Sequence, residues 1–265
     1  MKIICFAKIK GGVGATTIAL LLGQYAAKLG KKVLFMDEDH QCNLTHYYDV
    51  YQNSGTVANI YTKQGDVDII SVAPNIDLIS GSMKLDEAER MLETNPNKNM
   101  FLYDWLSDNY ESKKLEQYDY IIIDCHPDFG IATKNAIAVS HAIISPVIPS
   151  DFAFDAKENL EIRMEDYRKT EISRPSRESL ITAKLYFLLN RIAPTVKSKA
   201  LVKALENDDS VIGQIPQKEL FNHITKDKTM IDMMSNKTLY KKHRSFFTQL
   251  QKTLDDILNK IDSID

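Results

Sequence analysis

Residues 10–17 read KGGVGATT and come two residues after a short apolar stretch, IICFA, at residues 3–7. Such an apolar run is typical of a buried parallel strand, and residues 16–29 have the apolar spacing of a helix that Gly30 ends. A second apolar run, VLFMD at residues 33–37, completes a strand–loop–helix–strand unit. This βαβ unit needs helices on both faces of a parallel sheet and a right-handed crossover, so the sequence predicts an α/β fold.

The remaining strands are predicted from similar apolar runs. They are YIIID (120–124), AIISPVI (142–148), LYFLLN (185–190) and VIGQIP (211–216). Segments with helical spacing separate them, which predicts a doubly wound, mostly parallel sheet flanked by helices. Residues 49–84 carry irregularly placed Gly and Pro and are interpreted as turns and an excursion. The whole chain, residues 1–265, is predicted to form a single domain.

Composition excludes several classes of protein. The formal net charge of -3 argues against a wholly basic nucleic-acid coat, so any DNA contact must come from a local patch. The three cysteines are scattered without a CxxC pair, which disfavours a disulfide framework or a zinc site and favours a reducing cytosol. No apolar run approaches the roughly 20 residues that span a bilayer, which predicts a protein without a membrane anchor.

The glycine-rich loop predicts a phosphate-binding site. Its backbone N–H groups can close on a phosphate, the following helix offers its positive N-terminus, and the Thr16 hydroxyl can hold magnesium. The predicted nucleotide-binding residues of the loop are Gly11, Gly12, Val13, Gly14, Ala15, Thr16 and Thr17. Ala15 stands where such a loop carries a lysine, and the lost contact is worth about 1.5–3 kcal/mol, roughly ten- to a hundredfold in affinity. Hydrolysis should suffer more, because that cation also offsets charge in phosphoryl transfer.

Carboxylates close two of the predicted strands. Asp37 and Asp39 lie in DEDHQCN, and Asp124 ends YIIID. The carboxyl ends of parallel strands form the ligand-binding edge of such a sheet, and we place these strands on either side of the loop strand. A carboxylate there can order magnesium through water, and a second can orient an attacking water. The alternative is that these residues only cap or turn the chain, but three acids beside one glycine loop favour a site.

Taken together, KGGVGATT, DEDHQCN, IIIDCHPDFG, SPVIPSD and LLNRI resemble the ParA/MinD group of deviant Walker A P-loop ATPases, and most closely the ParA partition ATPases. The resemblance implies ATP and Mg²⁺ as cofactors, with Thr16 on the magnesium ion. Asp37 and Asp124 would organise the metal shell. Lys10 and Asp39 would be catalytic, the first reaching the partner subunit's nucleotide across a dimer and the second positioning the hydrolytic water.

The resemblance also implies the adenine site and the partners. Asn190 and the turn after Pro216 would lie near the base, although Asn190 alone fits a strand-end turn residue equally well. An ATP-driven homodimer, nonspecific DNA and a ParB-like centromere-binding protein would be the partners, in a bacterial, cytoplasmic, nucleoid-associated setting. The chain departs from the family pattern at His40, His126 and Asp128, and neither histidine is assigned to a metal.

Two basic segments are candidates for the DNA surface. They contribute Lys197, Lys199 and Lys203, and Lys241, Lys242 and Arg244. Such runs are ordinarily solvated helix faces, and only the resemblance favours phosphate contacts.

A MinD-like membrane-cycling ATPase is the alternative function, and it requires a basic amphipathic C-terminal helix. The chain does end with apolar residues at helical spacing, namely Leu250, Leu254, Ile257, Leu258 and Ile261. The polar side of this segment carries Asp255, Asp256 and Asp262, which an anionic membrane would repel. We therefore expect the apolar residues to pack against the domain.

Ala15 has two competing explanations, a natural pseudo-ATPase or an engineered Lys-to-Ala change. A natural loss would relax the other catalytic positions, whereas Lys10, Thr16 and the three acids all look intact. The sequence alone therefore favours an engineered, weakened ATPase.

Overall fold

A central sheet of eight strands organises the part of the chain that the structure describes. The structure is a computed structural model that describes residues 1–150 and 152–264, so Asp151, which ends SPVIPSD, and Asp265 lie outside the described residues. The strands are β1 (Lys2–Phe6), β2 (Val33–Glu38), β3 (Ile70–Ala73), β4 (Ile76–Ile79), β5 (Tyr120–Cys125), β6 (Ala142–Val147), β7 (Lys184–Ile192) and β8 (Val211–Pro216). They lie in the order β3-β4-β2-β5-β1-β6-β7-β8, and within these ranges only the β3–β4 pair is antiparallel.

Helices cover both faces of this sheet. They are α1 (Ala15–Lys28), α2 (Asn43–Tyr47), α3 (Ala58–Thr62), α4 (Leu85–Leu92), α5 (Phe101–Asp108), α6 (Ile131–Val139), α7 (Ala153–Thr170), α8 (Val196–Ala204), α9 (Met230–Ser235), α10 (Lys237–Lys242) and α11 (Arg244–Asp262). Short 3₁₀ turns lie at Leu115–Gln117 and Glu219–His223. The predicted fold class, a doubly wound and mostly parallel sheet flanked by helices, is confirmed.

Two apolar cores lie on opposite faces of the sheet, because side chains along a strand alternate between its faces. On β1, Ile3 and Cys5 face one core, whereas Ile4 and Phe6 face the other. Helices α3 to α8 cover the first core, and α1, α9 and α11 cover the second. Each fully buried Leu, Ile or Phe side chain contributes about 1.5–3 kcal/mol, so these helices are held mainly by burial.

The bounds of the six predicted strands agree with the observed strands to within about two residues. Two expectations about the part of the sheet from β3 to β1 are wrong. Residues 49–84 contain β3 and β4, which the sequence analysis interpreted as turns. Each has only four residues and β3 is a half-exposed edge strand, so neither shows a sustained apolar run. In addition, β5 lies between β1 and β2. Strand β2, which contains Asp37 and is followed by Asp39, is therefore not adjacent to β1. The crossover through α1 joins β1 to β2 across one intervening strand, which is β5.

Helix α11 packs on the second core, as the sequence analysis expects. Its residues Leu250, Leu254, Ile257 and Ile261 are fully buried, and Leu258 is nearly so. Thr253 of the same helix donates a 3.0 Å hydrogen bond to the backbone carbonyl of Gln214 in β8. The apolar side chains of α11 are therefore buried in the protein's own core. None of the described helices is both long and apolar enough to cross a bilayer.

The three cysteines are free thiols and all are buried. Cys5 of β1 and Cys125 of β5 lie on adjacent strands, with their sulfur atoms 3.3 Å apart. Cys42 lies just after β2, so all three thiols are close to the carboxyl edge or the centre of the sheet.

Candidate functional site

The loop between β1 and α1 depends on glycines for its shape. Gly12 and Gly14 have φ angles of 76° and 86°, in the left-handed region where residues with a Cβ are strained. Gly14 also lacks room, because a Cβ there would lie 2.7 Å from the amide nitrogen of Asn190. That amide donates a 2.7 Å hydrogen bond to the carbonyl of Val13, so β7 and the loop are tied together at this point.

A cavity of about 490 Å³ opens over this loop. It is lined by Lys8, Gly11, Gly12, Val13, Gly14, Ala15, Thr16, Thr17, Leu20, Asp39, Gln41, Asn43, Tyr47, His126, Pro127 and Arg191. All seven predicted loop residues are in this set, as is Asp39. The loop, the N-terminus of α1 and the ends of β2 and β5 thus form one polar concavity, as the ligand edge of a parallel sheet should.

A buried lysine, Lys8, lies in the wall of this cavity with only 6% of its surface exposed. Its Nζ is 3.1 Å from Oδ1 of Asp124 and 3.9 Å from Oδ2 of Asp39, and it also donates to the backbone carbonyl of Cys125. Burial alone would lower the pKa of Lys8, but the charge of Asp124 and, more weakly, Asp39 raise it. Lys8 is therefore an ammonium ion within the cluster of acids.

Asp124 joins the lysine to the loop. The Thr16 hydroxyl donates a 2.5 Å hydrogen bond to Oδ2 of Asp124, while Lys8 holds the other carboxylate oxygen. Asp124 is fully buried, and burial raises its pKa against the opposing effects of Lys8 and Thr16. A hydroxyl and a carboxylate side by side form an oxygen donor set that suits Mg²⁺. The predicted pair of Thr16 and Asp124 is thus brought together.

Asp39 faces the cavity and is held by three neighbours. Oδ1 accepts hydrogen bonds from the backbone N–H of Gln41 at 3.0 Å and from Nδ1 of His126 at 2.9 Å. Burial works to raise its pKa, but these two hydrogen bonds and the charge of Lys8 outweigh burial and lower the pKa below the ordinary value. Asp39 is therefore a fixed carboxylate at the mouth of the loop, available as an acceptor for a water proton.

Asp37 occupies a different environment from Asp39. It is fully buried, its Oδ2 accepts hydrogen bonds from the backbone N–H and the hydroxyl of Thr45 at 2.8 and 2.7 Å, and it is not among the described residues that line the cavity. Burial and the charge of Asp124 raise its pKa to about 7. This geometry ties Asp37 to α2 and separates it from the predicted metal shell, which the sequence could not show because both aspartates end the same strand.

Glu38, between the two aspartates, points to the opposite core. Its Oε1 accepts a 2.7 Å hydrogen bond from the Tyr61 hydroxyl, and its buried Oε2 has no hydrogen-bond partner among the described residues. Burial raises the pKa of Glu38 to about 8. Glu38 therefore holds a proton at neutral pH, and the sequence analysis assigned it no role.

His40 and His126, two of the three departures from the family pattern, lie together beside Asp39. Their ring centroids are 3.9 Å apart. One ligand atom from each of Asp39, His40 and His126 lies within 4.8 Å of the others, which is close enough for a metal ion to be held after a small adjustment. The histidines thus shape the surroundings of the predicted water-positioning carboxylate.

A second cavity, of about 610 Å³, adjoins the first. It is lined by Gly14, Thr17, Ile18, Asn190, Arg191, Pro216, Gln217, Lys218, Glu219, Phe221 and Asn222. Gly14, Thr17 and Arg191 line both cavities. Asn190 and Pro216, the residues predicted to lie near the adenine, both line this second cavity. In the described contacts, however, the Asn190 side chain donates to the carbonyl of Val13 in the loop and accepts a hydrogen bond from the backbone N–H of Arg191.

Lys10 points away from the first cavity. It is exposed, and its Nζ lies 4.3 Å from the ring centroid of Phe152. Phe152 is itself 59% exposed, and Phe154 is 48% exposed. Lys10 and Phe152 therefore form an exposed rim beside the loop.

The candidate DNA residues are all exposed and belong to two different surfaces. Lys197, Lys199 and Lys203 lie on α8, which packs on the first core through Leu201. Lys241 and Lys242 end α10, and Arg244 begins α11, which packs on the second core. The structure thus separates the two sets onto opposite faces of the sheet.

Comparison with known proteins identifies the family. The profile of AAA_31, described as an AAA domain, matches residues 1–176. The chain belongs to the AAA_31 family. Within it, the chain is 36% identical over 167 residues to Soj, the sporulation initiation inhibitor protein of Bacillus subtilis. This match covers 60% of the chain and 63% of Soj, so it spans less than two thirds of that relative.

Another relative is similar to the chain in sequence, and two solved structures are similar to it in fold. An uncharacterized protein of Methanocaldococcus jannaschii is 30% identical over 82% of the chain and 85% of its own length. A Borrelia burgdorferi protein solved with AMPPNP and described as a plasmid partition protein has a TM-score of 0.77 at 24% identity, over 98% of both chains. McdA of Cyanothece has a TM-score of 0.77 at 20% identity, over 96% of this chain and 99% of McdA. These structures establish the fold of the AAA_31 chain.

Proposed function

We propose that this chain is a ParA-type partition ATPase that binds Mg²⁺–ATP across the two adjoining cavities. The observation that carries the proposal is that Gly14, Thr17 and Arg191 line both cavities. The cavity over the phosphate-binding loop therefore adjoins a second cavity of about 610 Å³, which is large enough for a base and ribose. The relatives described as partition proteins, including ParA of Caulobacter vibrioides at 27% identity over 173 residues, support the same function.

The residues of the first cavity fit magnesium and a triphosphate. Backbone N–H groups of the loop and the N-terminus of α1 bind phosphate oxygens. Thr16 and Asp124 supply the oxygen ligands or the water contacts of a magnesium ion, which when bound neutralises charge on the phosphates. Asp39 orients the attacking water, because its lowered pKa and its contacts with His126 and Gln41 keep it an ionised and fixed hydrogen-bond acceptor.

Dimerisation and DNA binding complete the proposed cycle. The exposed rim of Lys10 and Phe152 offers a cation and an apolar surface outside the chain's own cavity, which suits contact with the nucleotide of a second subunit. An ATP-bound dimer would combine two weak basic surfaces and hold DNA without sequence preference. A ParB-like centromere-binding protein would then stimulate hydrolysis, in a bacterial cytoplasm and on the nucleoid.

The MinD-like alternative is less well supported. It needs an apolar helix face that is free to enter a membrane, whereas the described apolar residues of α11 are buried. Liposome flotation beside DNA retardation separates the two functions. We expect ATP-dependent DNA binding that weakens steeply with salt, and no flotation with anionic vesicles.

Hydrolysis by the purified chain tests the ATPase proposal. We expect magnesium-dependent turnover that falls by about a hundredfold in Asp39→Ala, because loss of the group that positions a reactant costs roughly that much in rate. ATP affinity should stay within about threefold, since Asp39 contacts water and not the phosphates. Hydrolysis that persists undiminished in Asp39→Ala would remove its proposed role.

The light-scattering mass of the chain tests dimerisation. ATP should double this mass and ADP should not, because a nucleotide that binds the dimer preferentially stabilises it. Lys10→Ala should lose the ATP-driven dimer without losing ATP binding by the monomer. A monomeric mass at saturating ATP would contradict the dimer.

A further inference from the structure

We propose that Lys8 supplies the positive charge that the phosphate-binding loop lacks at position 15, by donating to the β- and γ-phosphates of the bound nucleotide. This inference rests on the proposed nucleotide-binding function. It replaces the expectation that Ala15 leaves the site without a cation, because the charge would come from the end of β1 and not from the start of α1. The ligand class is a nucleoside di- or triphosphate.

Burial and position distinguish Lys8 from an ordinary surface lysine. It is 6% exposed, it lines the cavity over the loop, and its ammonium group is 3.1 Å from the carboxylate of Asp124. The other oxygen of that carboxylate accepts the Thr16 hydroxyl. The carboxylate of Asp124 therefore holds Lys8 beside Thr16, the proposed magnesium ligand. The Lys8 ammonium group thus lies at the end of the cavity where we propose that the terminal phosphates bind.

The ammonium group has donor capacity left for a ligand. A lysine has three N–H donors on a flexible four-carbon stem. Two are used by Asp124 and by the backbone carbonyl of Cys125. The next acceptor, Oδ2 of Asp39, is 3.9 Å away, which is an ion-pair distance but too long for a hydrogen bond. A phosphate oxygen in the cavity can take this third donor without breaking the other two contacts.

Position 15 itself cannot supply this charge. Ala15 is 2% exposed and packs with the apolar residues of the second core at the start of α1. Arg191 is the other lysine or arginine among the described residues that line the cavity, but it is exposed and is shared with the second cavity. Arg191 therefore lies where the two cavities adjoin, beside the part of the nucleotide that ATP and AMP share, and it provides a matched control for loss of a cation from the same cavity.

The test compares the affinity of the full chain for ATP and for AMP, each with Mg²⁺, by isothermal titration calorimetry. AMP lacks the two phosphates that Lys8 is proposed to contact. In Lys8→Met the ratio of ATP to AMP affinity should fall by about ten- to a hundredfold, the value of one charge-assisted hydrogen bond. In Arg191→Met the ratio should change by less than about threefold. Adding Ala15→Lys to Lys8→Met should restore the ratio, because the side chain introduced at position 15 belongs to the same cavity and returns one ammonium group to the phosphates.

The single variant Ala15→Lys keeps the test sharp if Lys8→Met does not fold. With Lys8 already in place, Ala15→Lys should raise the ATP to AMP ratio by less than about threefold. A rise of tenfold or more would show that the site has no cation and would overturn the proposal. An unchanged ratio in a folded Lys8→Met protein would overturn it as well, while leaving nucleotide binding intact. Failure of the unsubstituted chain to bind either ATP or AMP would overturn both this inference and the proposed function.

Discussion

At the scale of single residues, hydrogen bonds to the carboxylate of Asp39 hold it in place at the mouth of the cavity. Asp39 keeps its charge because Gln41, His126 and Lys8 together outweigh the effect of burial on its pKa. Of the two hydrogen-bonding partners, His126 is the one that a side-chain substitution can remove, because Gln41 contributes its backbone N–H. The position of Asp39 can therefore be tested through His126 without touching the carboxylate itself.

We expect His126→Ala to slow ATP turnover by about ten- to a hundredfold, the usual effect of a catalytic group displaced by about 1 Å. The KM for ATP should change little, because His126 contacts Asp39. His46→Ala is the matched control, since His46 is an exposed histidine whose ring stacks on Tyr51. Steady-state rates for the two variants decide the matter, and equal rates would show that His126 does not position Asp39.

Gly14 allows a second test at this scale. Gly14→Ala should lower both stability and ATP affinity, because its φ of 86° is strained for alanine and the new Cβ would lie 2.7 Å from the Asn190 amide. Gly30→Ala is the control, because Gly30 has a φ of 85° but no atom within 4 Å of the added Cβ. Backbone strain should cost each variant about 1–2 kcal/mol. Urea unfolding should therefore show a larger loss for Gly14→Ala, and identical losses would mean that the loop yields to the extra methyl group.

At the scale of elements, the two candidate DNA surfaces lie on different helices, one on α8 and the other on α10 and the start of α11. Helix α8 and the α10–α11 segment cover opposite faces of the sheet. The two sets of basic residues are therefore alternative candidates for the DNA surface, and a variant of one set is the control for a variant of the other.

The salt dependence of DNA affinity distinguishes the two sets. In the presence of ATP, replacing Lys241, Lys242 and Arg244 by alanine should reduce the slope of log affinity against log salt by about one unit per lost phosphate contact. The Lys197, Lys199 and Lys203 triple variant should leave the slope unchanged, and neither should alter ATP-driven dimerisation. If both slopes equal that of the unchanged chain while its binding is real, the DNA surface lies elsewhere.

Elements with sustained apolar runs were predictable, and contacts made by the folded chain were not. The six buried parallel strands and α1 follow from local apolar patterns and from Gly30. The short β3 and β4 lack such a pattern, and the position of β5 between β1 and β2 depends on how the crossovers pack. For the site, the loop and the acids follow from motifs, whereas the burial of Lys8 arises only when β1 meets β5. Its one signal in the sequence is a second lysine two residues before Lys10.

At the scale of the whole molecule, the buried carboxyl groups link stability to pH. Glu38 has its pKa raised by burial from 4.5 to about 8, so the folded protein binds more protons than the unfolded chain between these values. Stability that depends on proton binding by the folded state is present below the lower value and is lost as the pH rises toward the upper one. Asp37, whose pKa is raised to about 7, acts in the same direction.

We expect Glu38→Gln to flatten the loss of stability between pH 5 and pH 8.5 without abolishing it. Glutamine keeps the acceptor for the Tyr61 hydroxyl but has no proton to lose. Urea midpoints measured at pH 5, 7 and 8.5 should therefore fall less steeply than in the unchanged chain. Glu87→Gln, at an exposed glutamate of α4, should reproduce the original pH dependence. Parallel curves for all three proteins would show that Glu38 does not titrate in this range.

The buried thiols of Cys5, Cys42 and Cys125 have a consequence for kinetics. An alkylating reagent can reach them only when the sheet edge opens, because all three are at most 3% exposed. At saturating reagent, the modification rate therefore equals the rate of local opening, and no introduced probe is needed. Cys5 and Cys125 share the β1–β5 contact beneath the loop, so they should react together, whereas Cys42 beside α2 should react on its own timescale. Mass spectrometry of the protein alkylated with and without ATP would thus show, strand by strand, whether the nucleotide changes the rate of local opening.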